Sequence, residues 1–392
     1  MENAVSAVQA ASKAQLTFCK FLSANDTGQT GGHQAGIYIS KPAVPILFEK
    51  KGEKGSNKEK WVKIHWHDGT ETDTRFIYYG TGTRNEYRIT NFGRGFPYLR
   101  PEFTGALFVL CKKTDDEYDG FVLNTDDEIN QFLDSFGIGP AETNKLVDTN
   151  TIGLQTKEQI EIEEFIENLQ EDFPSSAEMS AAARMICYKI LLDKKLSLTN
   201  PDKALIEWTD QEYRLFKALE YARYGKIISK GFESVDSFVS AANQVLNRRK
   251  SRAGKSLEHH LAAIFDENQI KYQAQAVTEG NKRPDFIFPS QEAYHNNTFP
   301  TEKLVSLAAK TTCKDRWRQV LNEADRLRDG YKYLCTLQQG ISGAQMDEMQ
   351  EEKVILVVPK PYIAAYPRDK QDRIWTLGRF VRYIKDIESV GY

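Results

Sequence analysis

Three residues in the last third of the chain have the types and spacing that phosphodiester hydrolysis requires. Asp285 stands in Arg283-Pro284-Asp285-Phe286-Ile287-Phe288-Pro289, Lys310 closes Leu304-Val305-Ser306-Leu307-Ala308-Ala309-Lys310, and Glu323 follows in Arg316-Trp317-Arg318-Gln319-Val320-Leu321-Asn322-Glu323. Two carboxylates can hold Mg2+, which polarises a phosphate and acidifies a bound water, while a lysine stabilises charge near the nucleophile. Asp285 and Glu323 are therefore the candidate metal ligands, and Lys310 the lysine at the nucleophile. A tyrosine nucleophile at Tyr294 is a weaker idea, because no Arg/His relay surrounds it and the three metal-type residues would be idle.

The elements that must position this trio are legible as apolar patterns. Phe286 to Phe288 and Leu304 to Ala309 are compact runs bounded by Pro or charge, which predicts two short strands. Trp317, Val320, Leu321, Ala324 and Leu327 recur at helical spacing, which predicts that Glu323 lies on a helix. Further strands are expected over 274–278, 335–337 and 354–358, and a closing helix over 376–387. Residues 179–247 read as helices with a break at Thr199-Asn200-Pro201. Asn247 to Glu258 reads as a basic loop feeding a helix N-terminus, so Arg248, Arg249, Lys250 and Arg252 are candidate phosphate contacts.

A chain of 392 residues allows about two domains. The net charge of −3 conceals a strong asymmetry: acids outnumber bases 18 to 2 from Asp115 to Glu178, so the remainder is basic and can present local surfaces to phosphate. Five scattered cysteines without a CxxC pair argue against a disulfide framework and a zinc site. Neither a signal peptide nor a membrane-spanning run is apparent, which points to a cytoplasmic protein without membrane attachment.

The first half carries a different chemistry. An Ala-rich start over residues 1–22 suggests a short helix, and a polar Gly/Thr/Asn loop follows from Ser23 to Gly36, leading into a strand at Ile37 to Ile39. Lys60 to His67 alternates as a half-buried strand; His65 and His67 share a face, but no third ligand has metal-site spacing. Arg84, Asn85, Glu86, Arg88 and Arg94 form a hydrogen-bonding set suited to base edges, although a solvated strand-turn-strand has the same spacing.

Pro284-Asp285 followed by Lys310 resembles the PD-(D/E)xK nuclease core, with Ala308 where the second acid ordinarily sits. One subgroup, which cuts at CC/GG-flanked sites, carries that acid on the following helix; Lys310 and Glu323, with twelve residues between them, resemble its pattern. The flanking Lys310-Thr311-Thr312-Cys313-Lys314-Asp315-Arg316-Trp317-Arg318-Gln319 is similar to the EcoRII-like type IIE restriction endonucleases. That resemblance covers most of the chain.

It implies a mixed α/β nuclease domain over 176–392, a mainly-β pseudobarrel DNA-binding domain over 1–150, and an acidic linker over 151–175. Glu258 resembles a helix glutamate that tunes or joins the metal site, with a capping glutamate as the rival reading. Lys314, Asp315 and Arg316 resemble a triplet that reads C·G pairs, with Arg318 as a further DNA contact. In the N-terminal domain, Thr30, His33 and Gln34 on one arm and Arg84, Asn85, Glu86, Arg88 and Arg94 on another would touch DNA.

The implied activity is Mg2+-dependent hydrolysis of both strands at 5′-CCWGG or a close relative, leaving 5′-phosphates, by a homodimer without an organic cofactor. The N-terminal domain would bind a second site copy and relieve autoinhibition, and the acidic stretch could rest on the DNA cleft when no DNA is bound. Two rivals remain at this level: a non-catalytic DNA-binding regulator with a nuclease-like fold, and a nuclease that requires a modified base.

Overall fold

The computed structural model describes residues 2–29, 36–147 and 157–389. The chain forms two compact units. The first comprises Met1–Thr151 with Gln338–Gln350 and Pro361–Asp372, and the second Ile152–Leu337 with Glu351–Lys360 and Arg373–Tyr392. Among the described residues no helix is long and apolar enough to cross a membrane.

The first unit opens with helix α1 (Glu2–Lys13) and strands β1 (Leu16–Phe21), β2 (Ile37–Ile39), β3 (Lys58–Trp66), β4 (Glu71–Tyr79), β5 (Glu86–Thr90), β6 (Leu107–Lys112) and β7 (Glu117–Leu123). Helix α2 (Asp126–Phe136) and strand β8 (Lys145–Leu146) complete its N-terminal part. The expected N-terminal helix therefore stops early, because Leu16-Thr17-Phe18-Cys19-Lys20-Phe21 is apolar and aromatic enough to pair on both sides as a strand. The eight strands run in the order β2-β5-β4-β3-β7-β6-β1-β8. The two ends of that order approach each other, since Ser40, just after β2, donates its hydroxyl to the carbonyl of Asn144, just before β8. The sheet packs on a core that includes Phe18, Ile64, Trp66, Phe76, Phe108 and Tyr118.

A buried ion pair ties the base of the first polar arm. Lys20 Nζ lies 2.7 Å from Asp26 Oδ2 and donates to the carbonyl of Tyr38 at 3.1 Å. The other Asp26 oxygen accepts from the Tyr38 amide at 2.9 Å, so one carboxylate joins β1, the start of the arm and β2. Gly36 is needed at the return of the arm: its φ is +140°, and a Cβ there would meet the carbonyl oxygen of Ile89 at 2.5 Å.

The second unit contains helices α3 (Lys157–Asn168), α4 (Ser176–Leu191), α5 (Leu196–Thr199), α6 (Pro201–Lys230) and α7 (Val235–Glu267). Strands β9 (Gln273–Ala274) and β10 (Phe286–Phe288), helix α8 (Gln291–His295), and strands β11 (Val305–Lys310) and β12 (Lys332–Thr336) follow. Helix α9 (Gly343–Glu351) falls almost wholly in the first unit, before strand β13 (Val354–Val357) and helix α10 (Leu377–Ser389) return to the second. Its mixed sheet has the order β13-β12-β11-β10-β9, antiparallel from β9 to β11 and parallel from β11 to β13. The helix break expected near Pro201 is present, with Asn200 capping α6 through a 3.1 Å bond from the Lys203 amide.

The acidic stretch forms a helix, as the spacing of Ile160, Phe165, Ile166 and Leu169 suggests, while the basic stretch departs from its expectation. Described residues 157–175 of the stretch read as linker include α3, which packs Ile162, Phe165 and Ile166 against α4 and α6. Two of its acids are engaged locally, Glu158 with Arg214 and Glu161 with Lys189, while Glu163, Glu164 and Glu167 are exposed. The basic stretch 247–258 is likewise no loop but the middle of α7, a helix of 33 residues. Arg, Lys, Ala and Leu are good helix formers, and one Gly254 costs about 1 kcal/mol, too little to stop it.

Removing the Asp26 carboxylate leaves Lys20 buried and unpaired. Asp26→Ala is expected to lower stability by about 3–5 kcal/mol, read as a drop in the denaturant midpoint; an unchanged midpoint would show that the pair does not staple the arm.

Candidate active site

Strand register builds the site. Phe286 pairs with Leu307 across the antiparallel β10–β11 ladder, so Asp285, one residue earlier, lies opposite Ala308. Asp285 is only 6% exposed. Its Oδ2 accepts from the Ala309 amide at 2.8 Å and from Lys310 Nζ at 3.2 Å. Its Oδ1 accepts from Gln275 Nε2 at 3.0 Å. The same Gln275 nitrogen donates to Glu258 Oε2 at 3.0 Å, and Lys255 Nζ holds Glu258 at 2.9 Å. Glu258 thus stands one hydrogen-bonding group away from Asp285, deep within α7, which removes the capping reading. Gln275 carries no sequence signal of its own; only the fold brings it between two carboxylates.

Glu323 reaches the same cluster by a different route. In place of the expected helix, residues Arg316–Asn322 and Asp325–Leu327 form two short 3-10 turns with a break between them. Side chains three apart eclipse in a 3-10 turn, so the buried Trp317 and Val320 lead to Glu323 on the inward side. Burial pushes the Glu323 carboxyl up to about 7, Lys310 pulls it down and Asp285 adds to the rise. Among the described residues no donor hydrogen-bonds to that carboxylate.

A half-buried acid without a donor, beside Lys310 and Asp285, has the chemistry of a cation ligand. Among the described residues no group of three or more His, Cys, Asp or Glu side chains is gathered for a metal. Two carboxylates suit a hard divalent cation that completes its shell with water and substrate phosphate, and Asp285 with Glu323 fit it.

The remaining sequence candidates divide by exposure. Lys314 is buried at 4% exposure, Arg316 is half-buried, and Asp315 and Arg318 are exposed, Arg318 with its guanidinium 4.6 Å from the Trp317 ring. In the first unit Arg84, Asn85 and Arg94 are exposed and Glu86 half-buried. Arg88 is buried and donates to Glu86 at 3.3 Å, so here it supports Glu86 and does not face solvent. Thr30, His33 and Gln34 lie outside the described residues. The expected phosphate contacts need correction. Arg249 is paired with Glu220 at 2.6 Å, Arg252 is buried over Tyr213 and Phe216, and Arg248 lies 4.0 Å over the Phe173 ring. Their spacing along α7 turns them onto α6 and its neighbours, leaving Lys250 exposed.

Comparisons with known proteins agree with this two-part architecture. Residues 11–145 match the model described as restriction endonuclease EcoRII, N-terminal, and residues 216–381 match the EcoRII C-terminal model. The chain is 41% identical over 386 residues to the type II restriction enzyme EcoRII of Escherichia coli, covering 93% of each protein. It belongs to the EcoRII family of type II restriction enzymes. It is also 28% identical over 117 residues to the type II restriction enzyme SsoII of Shigella sonnei, spanning 28% of this chain and 37% of that protein. Among solved structures, metal-depleted Ecl18kI in complex with uncleaved, modified DNA is 18% identical with a TM-score of 0.46, over 60% of this chain and 86% of that one. A PspGI–substrate DNA complex is 16% identical with a TM-score of 0.45, over 56% and 95%. Family membership makes the protein a site-specific deoxyribonuclease and sets aside the non-catalytic regulator.

On the reading that Glu323 holds a cation, a proton competes for the same carboxylate. Because its carboxyl keeps the proton below about 7, the half-saturating concentration of divalent cation should fall as pH rises through that value and then level off. Metal dependence of cleavage at several pH values checks this; a flat profile would mean that Glu323 is ionised without the cation.

Proposed function

We propose that this EcoRII-family enzyme hydrolyses both strands of duplex DNA at 5′-CCWGG or a close relative, with Mg2+, leaving 5′-phosphates. The observation that carries the reading is the convergence of Asp285, Lys310 and Glu323 at the ends of β10 and β11 and on the 3-10 segment behind them. Mg2+ held by Asp285 and Glu323 would supply Lewis-acid polarisation of the phosphate and a more acidic water. The chain's own groups do the rest. Asp285 is aimed by the Ala309 amide and Gln275, so its carboxylate is positioned before DNA arrives. Lys310, bonded to Asp285, holds positive charge where the attacking oxygen becomes negative. Glu258, through Gln275, orients Asp285.

Asp315 and Arg316, with Lys314 packed beneath them, lie a few residues beyond Lys310, suited to reading C·G pairs with a carboxylate for cytosine and arginine for guanine. Recognition and cleavage then share one short segment, so a mismatched base disturbs the reacting groups. In the first unit Arg84, Asn85, Glu86 and Arg94 would read a second copy of the site, and its occupation would relieve inhibition of cleavage. Cutting two strands needs two such centres, and each chain holds one, so the working unit is a homodimer. The end of α6 and the start of α7 expose Tyr221, Ile228, Val235, Phe238, Val239 and Leu246, a face that a second copy would cover. That face lies on the same helix as Glu258, so an interface there would set the spacing of two active centres.

Plasmids bearing one or several CCWGG sites test the reading directly. Asp285→Ala and Lys310→Ala should each lower cleavage by at least about 100-fold while specific binding persists, and several sites should be cut faster than one. Cleavage that survives Asp285→Ala would refute the assignment, and equal rates on one-site and many-site DNA would remove the effector role. The interface has its own check. Phe238→Glu with Val239→Glu should halve the mass in sedimentation and turn double-strand cleavage into nicking; an unchanged mass would move the interface elsewhere.

A further inference from the structure

Glu323 sits on a segment that has little local reason to hold its shape. Its backbone lies between two 3-10 turns, a geometry with poorer internal hydrogen bonds than an α-helix. Ala324 within the break is extended, with φ −146° and ψ 87°. A carboxylate that must meet a cation within a few tenths of an ångström needs its main chain fixed from outside.

The fixing groups come from elements with no reacting atom of their own. Thr278 Oγ1 donates to the main-chain carbonyl of Glu323 at 2.7 Å. Glu279 Oε2 accepts from the Asp325 amide at 3.2 Å and from the Tyr294 hydroxyl at 2.6 Å. That hydroxyl oxygen in turn accepts from the Arg326 amide at 3.1 Å. The Arg326 side chain reaches the other way, donating to the carbonyls of Ala293, Tyr294 and Phe299, the last at 2.8 Å. Ala324 and Leu327 are buried in one apolar cluster with Tyr294, Ala276 and Ile287. Burial alone would raise the Glu279 carboxyl, but the donors from Tyr294 and the Asp325 backbone outweigh it, so the acceptor is ionised at neutral pH. The three main-chain groups held from outside are the Glu323 carbonyl and the amides of Asp325 and Arg326.

We propose that Thr278, Glu279 and Tyr294 form a clamp of positioning residues that sets Glu323 at the cation site from outside its own segment, which the Arg326 side chain anchors to the carbonyls of Ala293, Tyr294 and Phe299. The inference rests on Glu323 being a cation ligand. It gives Tyr294 a role as a fixed hydroxyl between an acceptor and an amide, and accounts for how an acid displaced from Ala308 can be held as firmly as one on a strand.

The test uses the full-length protein with specific DNA. Tyr294→Phe removes only the hydroxyl and should weaken the Ca2+ affinity of the protein–DNA complex, measured by calorimetry, by about tenfold. The half-saturating Mg2+ for cleavage should rise in parallel, and metal-free specific DNA binding should not change. Amide exchange at Asp325 and Arg326 should quicken. Glu279→Ala should reproduce these changes, whereas Glu279→Gln keeps an acceptor oxygen and should restore most of the affinity. Thr278→Val removes the bond to the Glu323 carbonyl and should weaken the affinity in the same direction, so it serves if Tyr294→Phe folds poorly.

Glu323→Gln separates the two levels. If it keeps Ca2+ affinity and cleavage, the ligand assignment fails and the clamp falls with it. If it loses both while Tyr294→Phe, Glu279→Ala and Thr278→Val all match wild type, the clamp alone is refuted.

Discussion

The amide of Ala309 donating to Asp285 is the contact on which the geometry around Asp285 and Lys310 depends. It exists only because β10 and β11 pair in one register, with Phe286 opposite Leu307. A slip by one residue would send every side chain on β10 to the other face. The acid would leave the lysine and the lysine would lose its place at the strand end. Apolar burial on both sides of the sheet, with Phe286, Ile287, Phe288, Val305 and Leu307 all inside, prevents that slip.

The same register leaves the place opposite Asp285 to Ala308, so the second carboxylate of the proposed site comes from a separate segment. That segment has its own support: Thr278, Glu279 and Tyr294 bond its main chain, and the Arg326 side chain anchors it to the carbonyls of Ala293, Tyr294 and Phe299. Taking the acid off the sheet thus calls for hydrogen bonds from outside its segment.

Charge is used in three different ways along this chain. Lys20 and Asp26 are buried as a pair that joins strands. Arg249 with Glu220, and Arg252 over Tyr213 and Phe216, bind helices to one another. Glu212 and His260, both fully buried and 2.9 Å apart, do so in the middle of the helical layer, with burial holding the imidazole below its ordinary range. Asp285, Lys310 and Glu323 use charge in a third way, two carboxylates and an ammonium brought close together, as the proposed site requires. Composition cannot separate these uses, because a guanidinium folded onto an aromatic ring and one aimed at a phosphate are the same letter.

The sequence by itself determined the strand that follows Asp285 and the strand that ends on Lys310, because short apolar runs bounded by Pro or charge report strands locally. It also determined that Glu323 comes back after twelve residues, since spacing is a property of the chain. What only tertiary structure decided was the partner of each polar group. Apolar spacing at 317, 320, 324 and 327 fits an α-helix and a pair of 3-10 turns almost equally, and distant donors to the Glu323 segment accompany the second. Gln275 had no local signal, because its role depends on a glutamate 17 residues earlier and an aspartate 10 residues later meeting in space. The basic stretch in α7 misled for the same reason: whether a cation faces solvent or a neighbouring helix depends on what packs beside it, and a linear chain does not contain that neighbour.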